Sequence, residues 1–495
     1  MSLREGIKNM LLKILDIKPA TDKKITILEP YSFQGQVLKN RLWYIGEPSE
    51  LEQFFKQCVR DNVSRSRFWA SVPSDDLSIR KIHSGIPATI VDRLTEIIIS
   101  DLDEYNIDNE QSNEVFEAIK DDNNLLDIIS DAIVETLVTG DGAFKLTIDT
   151  DISDYPIIEF YSGEKVDYNY RKGRLYEVMF YTEYNKNNKT YKLQEIYGRG
   201  YIQYKLYDEV GKEVPLTSLE ETKDIQDVTF NNCDLLLAVP LKFYKSTKFK
   251  DRGKSIFDKK SDSFDALDEV ISQWIDAIRD GRVNKYIPED LIPKDPMTGA
   301  LMKPNSFDNR FIKVGSSLSE DAKNQIDMIQ ADINYEAFVS SYLNVLDMCL
   351  QGIVSPSTLG IDLKKTDNAE AQREKEKATL YTRSKIVDTL NDVLPQLAEL
   401  IMQTNDLMNN RALGEYECVV TFGEYASPSF DTVVETVGKA KAYGIMSIQK
   451  AIDELYGDTM TDEEKQEEIE RIREESGVVT LEEMTLGSEL DGEEQ

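Results

Sequence analysis

The sequence predicts an α+β protein that is mainly helical, and three observations support this fold class. Residues 258–408 contain three segments with apolar residues spaced three and four apart, the spacing of an amphipathic helix. Residues 157–207 instead contain short runs rich in tyrosine, isoleucine, valine and phenylalanine, which indicates an antiparallel meander. Helical spacing returns at 432–475 after one strand-like run at 416–422. Helices and strands are thus grouped along the chain, as in α+β proteins.

Composition limits the classes of function that are open to the protein. The 495 residues include 91 acidic and 58 basic side chains, so the net charge is −33. Such a charge repels nucleic acid at long range, and any contact with DNA is expected to be local. The cysteines form no CxxC pair, and no apolar run is long enough for a spanning helix or a signal peptide. We therefore expect an intracellular protein without a membrane partner.

The N-terminal half is predicted to contain helices followed by the meander. Residues 1–28 carry an apolar face with basic flanks, and docking on a neighbouring domain or subunit is preferred over membrane binding. Apolar spacing predicts helices at 50–59, 90–102 and 114–138. The 12 acidic residues of 101–135, against one lysine, are interpreted as a solvated helix face rather than the wall of a channel.

Three long helices with two interruptions dominate residues 258–408. The first is predicted at 258–280 and the second at 332–352, each with one apolar face. The third, at 368–407, would be about 60 Å long, which exceeds the diameter of a small domain. Its first half is charged on every side, which is typical of a helix stabilised by ion pairs or other chains, and Pro395 is expected to bend its second half. A Pro-rich excursion and a loop separate the helices, so the segment is expected to form a stalk.

Motifs for catalysis are absent from the sequence. It contains no GxxxxGK[ST] loop for phosphate binding, which argues against ATP hydrolysis. His83 is the only histidine, and it is interpreted as a hydrogen-bonded structural residue. The aspartates at 149–154 are arranged like part of a calcium loop, but Asp154 stands where that loop requires glycine. We therefore expect no enzymatic activity, no cofactor and no metal site.

Four short motifs occur in a specific order along the chain. They are Trp43-Tyr44-Ile45-Gly46, Phe68-Trp69, Arg80-Lys81-Ile82-His83-Ser84-Gly85-Ile86-Pro87 and Gly140-Asp141-Gly142-Ala143. Each motif alone is weakly specific. Their order, followed by a helix, a Pro-rich unit, a second helix, a loop and a long helix, resembles the portal proteins of the large group of phages that infect Gram-positive bacteria. The resemblance extends from end to end of the chain.

The resemblance implies the portal-protein fold, with wing, stem, clip and crown regions. An N-terminal wing part would span 1–257, a first stem helix 258–281, a clip 282–325 and a second stem helix 326–353. A tunnel loop would follow at 354–367, then the long bent helix and a strand returning to the earlier sheet of the wing at 368–431. Crown helices would occupy 432–475, and 476–495 would be a disordered acidic tail.

The resemblance also implies a function as a head-tail connector. The chain would form a homo-oligomeric, dodecameric ring at one capsid vertex and would be a passive channel for DNA packaging and ejection. Its partners would be double-stranded DNA, the large terminase (the packaging ATPase), a neck or adaptor protein, and the major capsid and scaffold proteins. The ring would assemble in the cytoplasm of the host bacterium and become part of the virion.

Candidate site residues follow from this resemblance and from the distribution of charge. The tunnel-loop residues expected near DNA are Lys364, Lys365, Ser357 and Thr358; solvated loop lysines without a partner are the alternative interpretation of the pair. Residues 327–352, with four acidic and no basic side chains, would repel DNA and let it slide. Partner binding in the clip is expected from Arg282, Lys285, Lys294, Lys303, Arg310 and Lys313. Contacts between subunits along the long helix are expected from Arg373, Glu374, Lys377 and Arg383.

Two other classes of function stay open from the sequence. A helical interaction scaffold in the cytosol shares the composition and the lack of catalytic motifs, but it gives no reason for the paired helices and the Pro-rich excursion. A metal-dependent phosphodiesterase could use the many carboxylates, although no compact set of ligands stands out in the sequence.

Overall fold

The computed structural model of the protein describes residues 32–58, 67–71, 79–187, 189–230, 234–281, 284–288, 292, 294, 297–299, 311–314, 327–329, 333–361, 369–423, 430–456 and 462–475. It is an α+β structure with about half of its residues in helices, which confirms the predicted class. The chain divides into two compact units, Met1–Gly423 and Glu424–Gln495, and each is described by itself.

Eight of the described helices belong to the first unit. Five precede the main sheets: α1 Phe33–Ile45, α2 Pro48–Cys58, α3 Ile86–Ser100, α4 Glu110–Asn123 and α5 Leu125–Thr139. Three follow the sheets: α6 Ser261–Asp280, α7 Tyr335–Leu350 and α8 Ala369–Met408. The helices predicted at 50–59, 90–102, 258–280, 332–352 and 368–407 are therefore confirmed, with α8 continuous through Pro395.

The sequence analysis does not predict α1, because polar residues interrupt its apolar spacing. Lys39 and Asn40 lie among its buried residues. Its ends nevertheless carry clear signals. Ser32 Oγ accepts a hydrogen bond from Gly35 N (3.1 Å) at the start of the helix. Gly46 ends it in the left-handed conformation, with φ 70°.

The helix predicted at 114–138 is corrected to two helices, α4 and α5. Asn124 lies between them with φ 49° and its backbone N–H bonded to the carbonyl of Asp121. Asparagine tolerates the left-handed conformation better than most residues, so it can break a helix where the apolar periodicity continues. Most of the acidic side chains of 101–135 are exposed in this unit, as expected for a solvated face.

Strands form four sheets in the described part of the first unit. They are β1 Leu102–Ile107, β2 Gly142–Thr147, β3 Ile157–Ser162, β4 Val166–Arg171, β5 Arg174–Lys186, β6 Lys189–Gly198, β7 Tyr201–Tyr207, β8 Glu213–Val214, β9 Val228–Thr229, β10 Ala238–Leu241, β11 Asn284–Pro288, β12 Phe311–Val314, β13 Asp327–Ile329 and β14 Cys418–Phe422. One sheet has the order β10-β2-β3, and a six-stranded sheet has the order β4-β5-β6-β7-β8 with β9 on β7.

The predicted antiparallel meander is confirmed for β5, β6 and β7, whose neighbours all run antiparallel. The hairpin between β5 and β6 closes where Lys186 pairs with Lys189. The run at 157–161 is also a strand, β3, but it pairs with β2 in the smaller sheet. Between α6 and α7, β11 pairs with β12 in parallel and with β13 in antiparallel orientation.

The strand predicted at 416–422 is confirmed as β14, but its predicted return to the earlier sheet is wrong. It pairs antiparallel with β1, from Leu102 opposite Phe422 to Ile107 opposite Cys418. The chain packs β14 directly against α8, the helix it has just left. On the β1 side, Tyr105 Oη donates a hydrogen bond to the carbonyl of Leu394 in α8 (3.1 Å). The backbone hydrogen bonds of β14 are thus made with β1, in a two-stranded sheet beside α8.

One large hydrophobic core joins α1–α8 to β1, to the β10-β2-β3 sheet and to strands β4–β7 of the six-stranded sheet. Helix α8 contributes five apolar side chains spaced three and four apart, all 0–1% exposed: Ile386, Leu390, Leu394, Leu397 and Ile401. A separate small cluster beneath the meander contains Leu193, Leu206 and Leu219. The long helix is therefore fixed to this core over its second half.

The buried carboxylate of Asp268 joins α6 to two segments that precede α3. Asp268 is 0% exposed, and its Oδ2 accepts a hydrogen bond from Trp69 Nε1 (3.0 Å) and lies 2.7 Å from His83 Nδ1. Its Oδ1 accepts a hydrogen bond from Ser84 N (2.8 Å). His83 is thus a hydrogen-bonded structural residue, as predicted. A buried carboxylate with this many partners fixes both the position and the rotation of the helix that carries it.

Neighbouring positions on α6 repeat this arrangement. Asp265 accepts hydrogen bonds from the backbone N–H groups of Phe68 (2.9 Å) and Trp69 (3.1 Å). Burial raises the pKa of Asp265 despite these donors. At the start of the helix, Trp43 Nε1 donates to Ser261 Oγ (3.0 Å). The first half of α6 is therefore held by polar contacts as well as by the core.

The second unit contains three helices among its described residues. They are α9 Phe430–Ala442, α10 Ile448–Tyr456 and α11 Asp462–Glu475, which confirms the helical spacing predicted at 432–475. Helix α10 packs against both α9 and α11. The buried residues that join them are Val437, Ala451, Ile452 and Ile469. The predicted acidic tail at 476–495 lies outside the described residues.

Replacing Asp268 by asparagine should destabilise the first unit. The amide presents an N–H group where the carboxylate accepts hydrogen bonds, so at least one buried donor loses its partner. We expect the free energy of unfolding to fall by about 3 kcal/mol. Urea denaturation followed by circular dichroism measures this change.

The matched control is Asp262→Asn in the same helix. The Asp262 side chain is 82% exposed and pairs with Arg67 at 2.8 Å. An exposed ion pair contributes little, so this variant should lose less than about 1 kcal/mol. Equal losses in the two variants would contradict the role given to Asp268.

Candidate functional site

Helices α6 and α7 form an antiparallel pair, which we call the stalk. Lys260, just before α6, donates hydrogen bonds from Nζ to the carbonyls of Met348 (2.7 Å) and Gln351 (2.8 Å) at the end of α7. Midway along the pair, the Trp274 ring lies parallel to the Phe338 ring, with centroids 6.2 Å apart and an interplanar angle of 3°. The pair is thus held at its base by a cation on carbonyl groups and farther out by aromatic packing.

The apolar face of the stalk is buried at one end and exposed at the other. In α6, Phe264 and Leu267 are 0% exposed, whereas Ile278 is 46% exposed. In α7, Cys349 is 0% exposed, whereas Tyr335 is 62% exposed. Two more large apolar side chains are exposed away from the base, Ile275 and Leu343, whereas Met348 is exposed near the base. The described part of the chain does not cover the apolar side chains at the far end.

The stalk is acidic. Helix α6 contains six acidic residues and one arginine, and α7 contains two acidic residues and no basic one. Two of these carboxylates, Asp265 and Asp268, are buried in the contacts at the base. The others, among them the exposed Glu336 and Asp347, give the pair a negative field. A polyanion near this surface would be repelled rather than bound.

All four sequence motifs pack against residues 252–272, at the base of the stalk. The contacts of Trp43, Trp69 and His83 with α6 are given above, and Ile82 N also donates to Ser272 Oγ (2.9 Å). For the fourth motif, Gly253 N donates to Asp141 Oδ2 (2.6 Å). A Cβ atom on Gly140 would lie 3.0–3.1 Å from the backbone of residues 253–255, so glycine permits this close approach. The motifs therefore share one structural role.

The Asp141 carboxylate is fully buried and paired with Arg252. Arg252 Nη2 lies 3.0 Å from Asp141 Oδ1, and Arg252 Nη1 lies 2.9 Å from Asp167 Oδ1. The guanidinium group also lies over the ring of Phe33, 3.7 Å from its centroid. Burial raises the pKa of Asp141, and the charge of Arg252 opposes this shift. This cluster joins α1, the sheets and the segment that leads into α6.

The first part of the predicted tunnel loop is fixed to α8. Residues Pro356–Leu359 form a single 3-10 turn. Thr379 Oγ1 accepts a hydrogen bond from Ser355 N (2.8 Å) and lies 2.7 Å from Thr358 Oγ1. Thr382 Oγ1 donates to the carbonyl of Ile353 (2.6 Å). The sequence analysis missed both threonines of α8, because threonine at helical spacing carries no specific signal for a loop contact.

The predicted tunnel-loop residues have different positions in the structure. Ser357 and Thr358 are half-buried, with Thr358 bonded to α8 and Ser357 Oγ buried without a hydrogen-bond partner among the described residues. Lys364 and Lys365 lie outside the described residues. A contact of these four residues with DNA stays a prediction.

Three of the six residues predicted to bind a partner lie in the described part of the chain. Lys294 is exposed, Lys285 lies in β11 and Lys313 lies in β12. In the register of this sheet, Lys285 pairs with Phe311 and Ile287 pairs with Lys313. The strands thus place both lysines in one small sheet. Arg282, Lys303 and Arg310 lie outside the described residues, and partner binding stays a prediction.

Of the residues predicted to join subunits, Arg383 has contacts within its own chain. Its Nε donates to Asp101 Oδ2 (2.6 Å), and its Nη2 donates to the carbonyl of Gly423. The guanidinium therefore links α8 to the ends of α3 and β14. Lys377 is exposed on α8, and Arg373 and Glu374 lie in the first turns of the same helix.

Metal sites and membrane spans were sought in the same described residues. They contain no group of three or more His, Cys, Asp or Glu side chains that could hold a metal ion. None of their helices is both long enough and apolar enough to cross a bilayer. Comparison with known proteins found no matching family model and no significantly similar curated protein.

Proposed function

We propose that the chain is the portal subunit of a bacteriophage of the type that infects Gram-positive bacteria. In this proposal, copies of the chain form a closed homo-oligomeric ring at one capsid vertex. DNA enters and leaves the capsid through the ring. The observation that carries the proposal is the acidic stalk, whose apolar face is buried at its base and exposed at its far end.

Assembly into a ring would cover the far end of the stalk. Exposed apolar side chains on both helices can pack against the stalk of a neighbouring copy, which removes their surface from water. Contacts between two different faces of one chain are head-to-tail, and such contacts generate closed rings when the rotation between copies is suitable. The polar contacts of Asp268 and Asp265 support this arrangement, because they give every copy the same stalk direction.

Passage of DNA is compatible with the charge of the stalk. A wall that carries the same sign of charge as the phosphates lowers their affinity for it, so a long duplex can slide without being trapped. Lys364 and Lys365 would add a local ring of positive charge in the tunnel loop. The segment that precedes these lysines is fixed to α8 by Thr379 and Thr382.

The remaining regions take their roles from the resemblance. Residues 282–325 would be the clip, which docks the large terminase during packaging and a neck or adaptor protein afterwards. Residues 432–475 would be the crown, facing the capsid interior. The chain would be a structural component of the virion, assembled with the major capsid and scaffold proteins, and a passive conduit without catalysis.

Removing the exposed apolar side chains of the stalk should weaken ring assembly. We expect the purified protein to sediment as a large oligomer, and Ile278→Ser with Leu343→Ser to shift it towards single chains. Losing two partly exposed aliphatic side chains per interface should weaken the free energy of association by about 2 kcal/mol for each pair of copies. Sedimentation velocity measures the distribution.

The control for this experiment carries Ile152→Ser and Val210→Ser. These side chains are 75% and 85% exposed, but they lie in loops outside the stalk. The control should assemble like the unaltered protein. Single chains at every protein concentration without any substitution, or equal assembly of both variants, would contradict the proposed role of the stalk.

Reversing the charge of the tunnel-loop lysines should impair DNA packaging or retention while leaving rings intact. Lys364→Glu with Lys365→Glu replaces local attraction by repulsion in every subunit. Particles assembled with the variant should contain less DNA, measured by the ratio of nucleic acid to protein in purified heads. Lys189→Glu with Lys212→Glu, at exposed positions of the meander, gives the same change in charge as a control. Unchanged DNA filling would refute the assignment of the lysine pair.

A further inference from the structure

Two turns of the first unit concentrate positive charge in a chain whose net charge is −33. The turn between β4 and β5 carries Arg171, Lys172 and Arg174, all exposed. The turn formed by residues 244–254 carries five basic residues and one acidic residue, Asp251. Lys245, Lys248 and Lys250 are exposed on this second turn, with Lys250 Nζ 3.9 Å from Asp251 Oδ2. We call five of these six exposed cations the basic surface: Arg171, Lys172, Arg174, Lys245 and Lys250.

The second turn has a defined backbone. Lys245 and Gly253 form an antiparallel bridge, and Ser246 N donates to the carbonyl of Arg252 (3.0 Å). Farther out, Ser246 Oγ accepts a hydrogen bond from Phe249 N (3.1 Å). The Phe249 ring packs edge-on against Phe33 of α1, with centroids 5.6 Å apart. The lysines are therefore presented from a structured turn.

Lys242 holds the two turns side by side. Its Nζ donates to Tyr170 Oη (3.2 Å), at the end of β4, and to the carbonyl of Asp251 (2.6 Å), in the second turn. The same Nζ lies 3.5 Å from the centroid of the Tyr168 ring. Burial lowers the pKa of Lys242 to about 8. Lys242 faces inward, and the exposed cations of both turns are left at the surface.

We infer that the basic surface binds the phosphate backbone of duplex DNA without sequence preference. Exposed lysine and arginine side chains make the phosphate contacts in such complexes. The overall negative charge of the chain repels DNA at long range, so the attraction of this surface acts at short range. Binding is therefore weak and strongly dependent on salt. This surface lies outside the stalk and the predicted tunnel loop.

An acidic protein segment is the less favoured partner, because the turns lack an apolar anchor. Phe249 is packed on Phe33, and Tyr176 lies beneath the guanidinium of Arg171, with its ring centroid 3.5 Å from Cζ. None of the exposed large apolar side chains in the described chain belongs to either turn. Tight protein interfaces depend on buried aromatic or aliphatic anchors, whereas phosphate contacts do not.

Neutralising three of these lysines in the full-length protein tests the inference. The test variant carries Lys172→Gln, Lys245→Gln and Lys250→Gln, and binding to a labelled duplex of mixed sequence is measured by fluorescence anisotropy over a range of salt concentrations. At about 50 mM salt, the test variant should bind roughly tenfold more weakly or worse. The slope of log affinity against log salt should become shallower by about 2.7, that is, about 0.9 for each lost contact.

Two controls separate this surface from general effects of charge and folding. The first carries Lys→Gln at three exposed positions elsewhere, so that the net charge changes equally: Lys189, Lys212 and Lys223. The second replaces the three lysines of the test variant by arginine. Both controls should bind DNA like the unaltered protein. The thermal unfolding of the test variant should also be unchanged, because its altered side chains are exposed.

Three outcomes would overturn the inference: equal binding by the test variant and the unaltered protein, equal weakening of the test variant and the first control, or binding of poly-glutamate but not of duplex DNA. The inference does not depend on ring formation. Sedimentation of the same samples reports assembly separately, so failure of DNA binding and failure of the proposed ring can be distinguished.

Discussion

The buried carboxylate of Asp268 is the interaction on which the position of the stalk depends. Apolar contacts are not directional, so a helix held by them alone can shift or rotate at low cost. Asp268 instead accepts hydrogen bonds from the Trp69 indole and the Ser84 backbone and lies within hydrogen-bond distance of His83, all 184 to 199 residues earlier in the sequence. Leaving any of these groups without its partner in the interior is costly. The first half of α6 is thereby fixed to the core.

Because the first half of α6 is fixed in the core, the second half of the helix forms the exposed end of the stalk. The apolar stripe of α6 starts at Phe264 in the core and continues to the exposed Ile278. Helix α7 returns along α6 and is fixed by Lys260 and the Trp274 ring stack. The far end of the pair thus carries apolar side chains that the described part of the chain does not cover. In the proposed ring, neighbouring copies cover it, and the acidic residues of the pair face the path of the DNA.

Much of the fold could be predicted, because α6, α7 and the second half of α8 have uninterrupted apolar stripes and the meander has runs rich in β-forming residues. The failures have local causes. Asn124, in the left-handed conformation, ends α4 although the apolar spacing continues. The buried polar residues Lys39 and Asn40 interrupt the apolar spacing of α1, so that helix was not predicted. The pairing of β14 with β1 depends on packing against α8, which the sequence does not show. Asp268 could not be identified, since 91 acidic residues make each carboxylate uninformative in sequence. The four short motifs were visible in the sequence, and the structure shows that they share one feature, a contact with residues 252–272.

Electron microscopy of the purified full-length protein tests the central claim most directly. The account predicts closed rings with an axial opening, and reconstructions in which α6 and α7 of neighbouring copies pack around that opening. The apolar residues at the far end of each stalk should then be buried between copies. Single chains under conditions that favour assembly, or closed rings in which the stalk points away from the axis and stays exposed, would contradict the account.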